Sequence, residues 1–231
     1  MPIALPVAPA SPFHAHRAAL AGCRRCAAVL PAGVRPVLPE VERPLAMLVG
    51  QAPGPREATD GRPFLGRSGR TLFGWLAQVG LPEPEARRRL HIAAITRCYP
   101  GPHPGGRGDR VAGPAERAAC APWLDAELAL LRPSLIVPVG RLAIDRFLGG
   151  RPLAALVGAV HEAALPHGRV RVLPLPHPSG ASGWLHGAGH RTLLERALGE
   201  LGSLLAALGV QPVAADPVAE RPVGAPGRSA A

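Results

Sequence analysis

At 231 residues, 47% of them apolar, the chain is long enough for one domain with a sizeable core, and no apolar run reaches membrane-spanning length. Its formal net charge of +10 comes from 26 basic against 16 acidic side chains, and every basic one is arginine; the forked guanidinium suits phosphate, so the balance points to a polyanionic partner and away from a membrane. A genome biased toward Ala, Gly, Pro and Arg would leave the same excess, so charge alone argues only weakly for DNA.

In chain order, residues 1–12 read as a disordered tail, and no basic region followed by an apolar block opens the chain, which predicts a soluble, cytoplasmic protein. Cys23-x-x-Cys26 precedes a strand at 45–49, Leu-Ala-Met-Leu-Val, which runs into the Gly- and Pro-rich stretch Gly50 to Gly69. A helix at 69–79 and a strand at 90–95 lead to Cys98 and to a long Gly-, Pro- and Arg-rich loop from Tyr99 to Gly113. Pro114 is suited to the first position of a helix at 114–131, which carries Cys120. A strand at 135–139, a helix at 140–148, a strand at 170–175 and a helix at 190–207 complete the alternation, and residues 209–231 read as a second disordered tail. Alternation of this kind predicts an α/β fold, a three-layer α/β/α domain over 13–208 with a central, mostly parallel four-stranded sheet.

Ligands of such sheets bind beyond the carboxyl ends of the strands, and Gln51, Phe64 and His177 all fall there. Gly50 and Gly54 permit close backbone approach, and Phe64 stands in a polar loop where burial does not call for an aromatic ring. A flat ligand stacked on that ring is the natural expectation. His177 lies in Pro176-His177-Pro178-Ser179, held by proline on both sides. Four cysteines in a reducing compartment point to a metal or cluster rather than disulfides, and their spacing accepts zinc or iron and sulfur alike.

Taken together, these motifs resemble the iron-sulfur uracil-DNA glycosylases, the fourth family of that superfamily. The family's first motif, roughly G-E-A-P-G-x-x-E-x-x-x-G-R-P-F-x-G, lies on Gly50 to Gly66 with Gln51 in place of a glutamate, and its last, H-P-[SA], lies on His177-Pro178-Ser179. A cysteine pair before the first motif, a third after the second core strand and a fourth on the next helix match Cys23, Cys26, Cys98 and Cys120. The resemblance implies a [4Fe-4S] cluster on these four and a monomeric DNA repair enzyme, which flips uracil or a related deaminated base out of DNA and hydrolyses its glycosidic bond. His177 is then the donor to uracil O2, Phe64 the stacking face, and Gly50, Gln51, Ala52, Ala94 and Ser179 the remaining pocket residues. Glu57, at the motif's acidic place, is expected to orient water, with Asp60 as the other acid nearby.

The chain departs from the pattern at Ala94. Relatives carry there an asparagine whose amide reads the Watson-Crick edge of uracil, and this chain contains no asparagine. Gln51 and the Gly50 to Gly54 amides are the substitutes, and relaxed specificity, extending to hypoxanthine, follows as an expectation. A catalytically weakened, binding-only member is the alternative. Trp184 or Leu185, rather than the small Ala181, would fill the gap left by a flipped base. Arg107 and Arg110 would meet phosphates, and His103 stands where one related group forms a covalent link to the abasic sugar.

Overall fold

The computed structural model describes residues 11–106, 108–179 and 183–210; most of both composition-defined tails, Arg107 and Ala181 lie outside the described residues. The strands are β1 (Ala46–Gly50), β2 (Leu90–Ala94), β3 (Leu135–Pro138), β4 (His161–Leu165) and β5 (Gly168–Val172). They form one sheet in the order β2-β1-β3-β5-β4, parallel except for β4. The helices are α1 (Pro12–Ala21), α2 (Pro55–Asp60), α3 (Arg67–Gln78), α4 (Glu83–Arg89), α5 (Pro114–Leu131), α6 (Arg141–Leu148) and α7 (His190–Ala207).

Every residue of β1 is buried, as a strand covered on both faces requires. Alternation then divides the core in two. Ala46 and Leu48 join Leu72, Leu76, Leu198 and Leu201 beneath α3 and α7, while Met47 and Val49 join Leu124, Leu128 and Ala143 beneath α5 and α6. The parallel register pairs Gly50 with Ala94, so β1 and β2 end side by side. Beyond them Ile95 N–H donates to Gly50 O and Thr96 N–H to Gln51 O, continuing the ladder into the loops.

Five strands, rather than four, make up the sheet. The additional strand, β4, pairs antiparallel with β5, and its exposure alternates at the sheet edge. An edge strand with one wet face carries no apolar run to reveal it, and Glu162 on β4 pairs with Arg169 on β5 at 2.7 Å. β5 begins at Gly168 and ends at Val172, with Leu175 reaching Val139 only through an isolated bridge.

The helix α4 was equally hidden, because only Ala86 of its seven residues is buried. Glu83 and Glu85 in its first turn and Arg87 to Arg89 in its last complement the helix dipole instead. At the ends of the described chain, Phe13 on α1 and Val210 beyond α7 are both buried.

Candidate active site and cysteine cavity

The loop after β1 is built around Phe64. A Cβ on Gly50 would come 2.9 Å from Phe64 Cζ, and one on Gly69 would come 1.9 Å from Phe64 O, so glycine at both places lets the ring and its backbone close on β1 and α3. Phe64 itself holds φ 55°, a left-handed conformation that a bulky residue adopts only when its surroundings impose it. Arg87 helps impose it. Its Nη1 donates to Pro63 O at 2.9 Å and its Nη2 to Phe64 O at 3.1 Å, while the guanidinium lies over the Phe73 ring. No local motif marks Arg87, which reaches this loop from α4.

Glu57, expected as the water-orienting acid, is buried, and its carboxylate is already occupied. Oε2 accepts Gly54 N–H at 3.1 Å, and Oε1 accepts Leu65 and Gly66 N–H at 2.9 and 3.0 Å. Three backbone bonds make it a clasp that joins the two halves of the loop. Asp60 is exposed at the end of α2.

Gln51, Ala52, Phe64, Ala94 and His177 converge on one pocket of about 340 Å³ beyond the strand ends, with Glu57, Arg97 and Asp109 also on its wall. Gly140, which follows β3, allows the convergence: a Cβ there would meet His177 Cδ2 at 2.9 Å and Gln51 Cδ at 3.3 Å, and its φ of 85° favours glycine. Ser179 N–H donates to His177 Nδ1 at 3.2 Å, with the Ser179 hydroxyl 2.7 Å from the same nitrogen. Nδ1 is therefore an acceptor, and the neutral ring carries its proton on Nε2. Burial pushes the His177 pKa down, which favours that neutral form. Gln51 Oε1 lies 3.5 Å from Leu142 N–H, at the limit of a hydrogen bond to the first turn of α6.

A wider groove opens from the pocket, walled by Ser179, Arg110, Arg141, Val111 and Trp184. Trp184 stacks on His190 with centroids 4.2 Å apart and packs, as Leu185 does, against the core edge. Arg110 holds both Glu116 oxygens at 2.7 Å. His103 is exposed, its Nδ1 accepting Gly105 N–H.

The four cysteines are all half-buried and free of disulfides, and they line a second, separate cavity with Arg97, Glu116 and Trp123. Burial pushes the Cys98 thiol up to about 12, with the other three cysteines adding to the shift. Burial also raises Cys26 and Cys120, the latter against a bond of 3.3 Å from Arg97 N–H to its Sγ. Thiolates gathered this closely would repel one another and so suit a cationic group that offsets their charge, and four-sulfur donor sets hold zinc or iron-sulfur centres. Among the described residues no three His, Cys, Asp or Glu side chains are gathered as around a single metal ion. Arg25 fastens the Cys23–Cys26 turn to α5, donating to Ala119 O at 3.1 Å and lying over the Trp123 ring.

Arg97 belongs to a buried charge network that sequence reasoning missed. Glu127, fully buried on α5, accepts from Arg97, and its oxygens lie 3.0 Å from His91 Nε2 and 3.2 Å from His16 Nε2. Burial drives its carboxyl upward, but Arg97 and the two histidines outweigh this and hold it well below the usual carboxylate range. Arg97 lines both the pocket and the cysteine cavity. The four residues come from α1, β2, the segment beyond β2, and α5, with no spacing to announce them.

A model of the uracil DNA glycosylase superfamily matches residues 40–199. A type-4 uracil-DNA glycosylase from Thermotoga maritima is 30% identical over 133 residues, which cover 58% of this chain and 64% of that protein. One from Archaeoglobus fulgidus is 29% identical over 143 residues, 60% of this chain and 67% of its own length. A type-5 uracil-DNA glycosylase from Mycobacterium bovis is 35% identical over 115 residues, covering 44% and 40% respectively. The matched stretches thus span about two thirds or less of these relatives.

Proposed function

The chain belongs to the uracil DNA glycosylase superfamily, and from that premise we propose that it flips uracil, or a related deaminated base, out of DNA and hydrolyses the N-glycosidic bond to leave an abasic site. The observation that carries this reading is one pocket in which the segment after β1 and the segment beyond β5 bring Gln51, Phe64 and His177 together. A flipped base stacks on Phe64, a contact worth about 1–3 kcal/mol. As the bond to the sugar breaks, its electron pair moves onto the uracil ring, and His177 Nε2–H donates to O2. A donor aimed at charge that develops only in the transition state speeds the step rather than merely tightening binding. Ser179 is a positioning residue, because its N–H fixes the ring's tautomer.

Glu57 belongs to the same proposal as the loop's clasp and Gln51 as the reader of the base edge. Ala94, paired with Gly50 on the pocket lining, offers no side-chain amide, so we assign the reading to Gln51 and the adjacent backbone and expect hypoxanthine to be accepted as well. The same gap favours the second reading, a binding-only protein.

Cys23, Cys26, Cys98 and Cys120 would hold a [4Fe-4S] cluster, supported by four thiols on one cavity wall. Such a group ties the N-terminal turn to α5 and to the end of β2, far apart in sequence. The arginine excess and the groove suit a DNA partner, and among the described residues no helix is long and apolar enough to cross a membrane. The test is base release from a labelled oligonucleotide with one uracil, read as alkali-sensitive cleavage, beside His177→Ala. Release by the parent and its loss in the variant support the enzyme, whereas binding without release of uracil or hypoxanthine leaves the second reading.

A further inference from the structure

Hydrolysis requires a water at the sugar, and Glu57 is occupied by three backbone amides. We propose that Asp109, on the loop between β2 and α5, is the carboxylate that orients this water and steadies the positive charge on the sugar. The proposal rests on the base-release reading above.

Asp109 stands where the pocket meets the groove. Six residues line both, namely Gln51, Ala52, Pro53, Ser68, Asp109 and His177, and among these Asp109 carries the one carboxylate and His177 the one imidazole. A base held in the pocket and a backbone lying in the groove put the glycosidic bond between them at this junction. The donor to the base and the acceptor from the water would then approach that bond from one rim.

The loop is built to hold the carboxylate there. Pro102 and Asp109 form an antiparallel bridge, His103 N–H donates to Gly108 O at 2.9 Å, and Arg110 N–H donates to Gly101 O at 3.0 Å. Arg110 is anchored in turn on Glu116 and on Val29 O. Tyr99 Oη–H donates to Asp109 Oδ1 at 3.0 Å. A Cβ on Gly54 would lie 3.7 Å from Asp109 Oδ2, so the second oxygen faces the loop after β1. One oxygen is fixed by tyrosine while the carboxylate stays exposed.

A fixed anion on this rim opposes phosphate binding in a chain of net charge +10, so recognition of DNA does not explain it. A sugar that becomes cationic does. In the step, the C1′–N1 bond breaks with its electron pair going to uracil, water oxygen bonds to C1′, and the water proton passes to Asp109 and then to solvent. No oxidant or further reactant is needed.

The test is single-turnover uracil release by the full chain with saturating enzyme, comparing the parent with Asp109→Asn, Asp109→Gly and Tyr99→Phe, alongside affinity for a duplex containing non-cleavable 2′-fluorinated deoxyuridine. We expect Asp109→Asn to slow release about a hundredfold, at the lower end of general-base effects, without weakening binding of that duplex. Added formate should restore release by Asp109→Gly several-fold, which a structural role would not allow, and Tyr99→Phe should slow release less than Asp109→Asn. Release by Asp109→Asn within twofold of the parent overturns the proposal, as does a slow Asp109→Gly that formate leaves unchanged. A parent that releases no base overturns the base-release reading and this inference with it, an outcome recognised by the parent's own failure.

Discussion

His177 rests on Gly140 so closely that a Cβ on the glycine would come 2.9 Å from the imidazole Cδ2, and 3.3 Å from Gln51 Cδ. One absent side chain therefore lets two pocket groups, from different strand ends, share the same space. Gly140 also holds φ 85° and ψ 163°, a region that essentially only glycine adopts, so alanine there adds backbone strain of about 1–3 kcal/mol. We expect Gly140→Ala to lower the melting temperature by several degrees and to cut base release about a hundredfold, as a displacement of about 1 Å does. Thermal unfolding and single-turnover release measured on one preparation check both effects.

Removing the His177 donor should cost roughly 3–4 kcal/mol of transition-state stabilisation, about a hundred- to a thousandfold in rate. Ser179→Ala keeps the backbone N–H that fixes the tautomer and should lose less. Affinity for non-cleavable DNA should change little in either variant. Equal losses in rate and affinity would assign His177 to binding alone.

Much of this fold was readable because strands covered on both faces must be apolar at every position, as β1 is. β4 and α4 escaped for the opposite reason: nearly all of their residues stay at least partly exposed, β4 being set by its pairing with β5 and α4 by Ala86 and the reach of Arg87 to the Phe64 loop. At the site, motif spacing indicated Gln51, Phe64 and His177, since local glycines and prolines shape their loops. Arg87, Glu127 and Asp109 act through contacts with residues distant in sequence or lie on an irregular loop, and no local pattern distinguishes them from surface charges.

The cysteine cavity yields a spectroscopic outcome. Protein prepared anaerobically should absorb near 400 nm and contain iron and sulfide, and Cys98→Ser should lose most of that absorbance. Colourless protein carrying zinc would reassign the four thiols to a mononuclear site. Because Arg25 also fastens the Cys23–Cys26 turn to α5, the rest of the fold should survive in Cys98→Ser, with far-ultraviolet circular dichroism near that of the parent.

Arg97 lines both the cysteine cavity and the pocket beyond the strand ends, so replacing its buried partner Glu127 should be felt at both. Glu127→Gln leaves Arg97 buried opposite a neutral amide, and breaking a buried pair in this way costs about 3–5 kcal/mol. The folded pKa of this carboxyl lies below its unfolded value near 4.3. Its stabilisation is therefore present above that unfolded value and lost as pH falls through it toward the folded one, where the unfolded chain binds more protons. Urea midpoints should fall for the parent between pH 6 and about pH 3, and fall less for Glu127→Gln, which has no carboxyl there to protonate. Parallel curves for the two proteins would mean that other carboxylates govern the acid limb and that the network contributes only through its geometry. If the variant also loses absorbance near 400 nm while keeping its secondary structure, Arg97 is the physical link, since its backbone N–H meets Cys120 Sγ and its guanidinium meets Glu127.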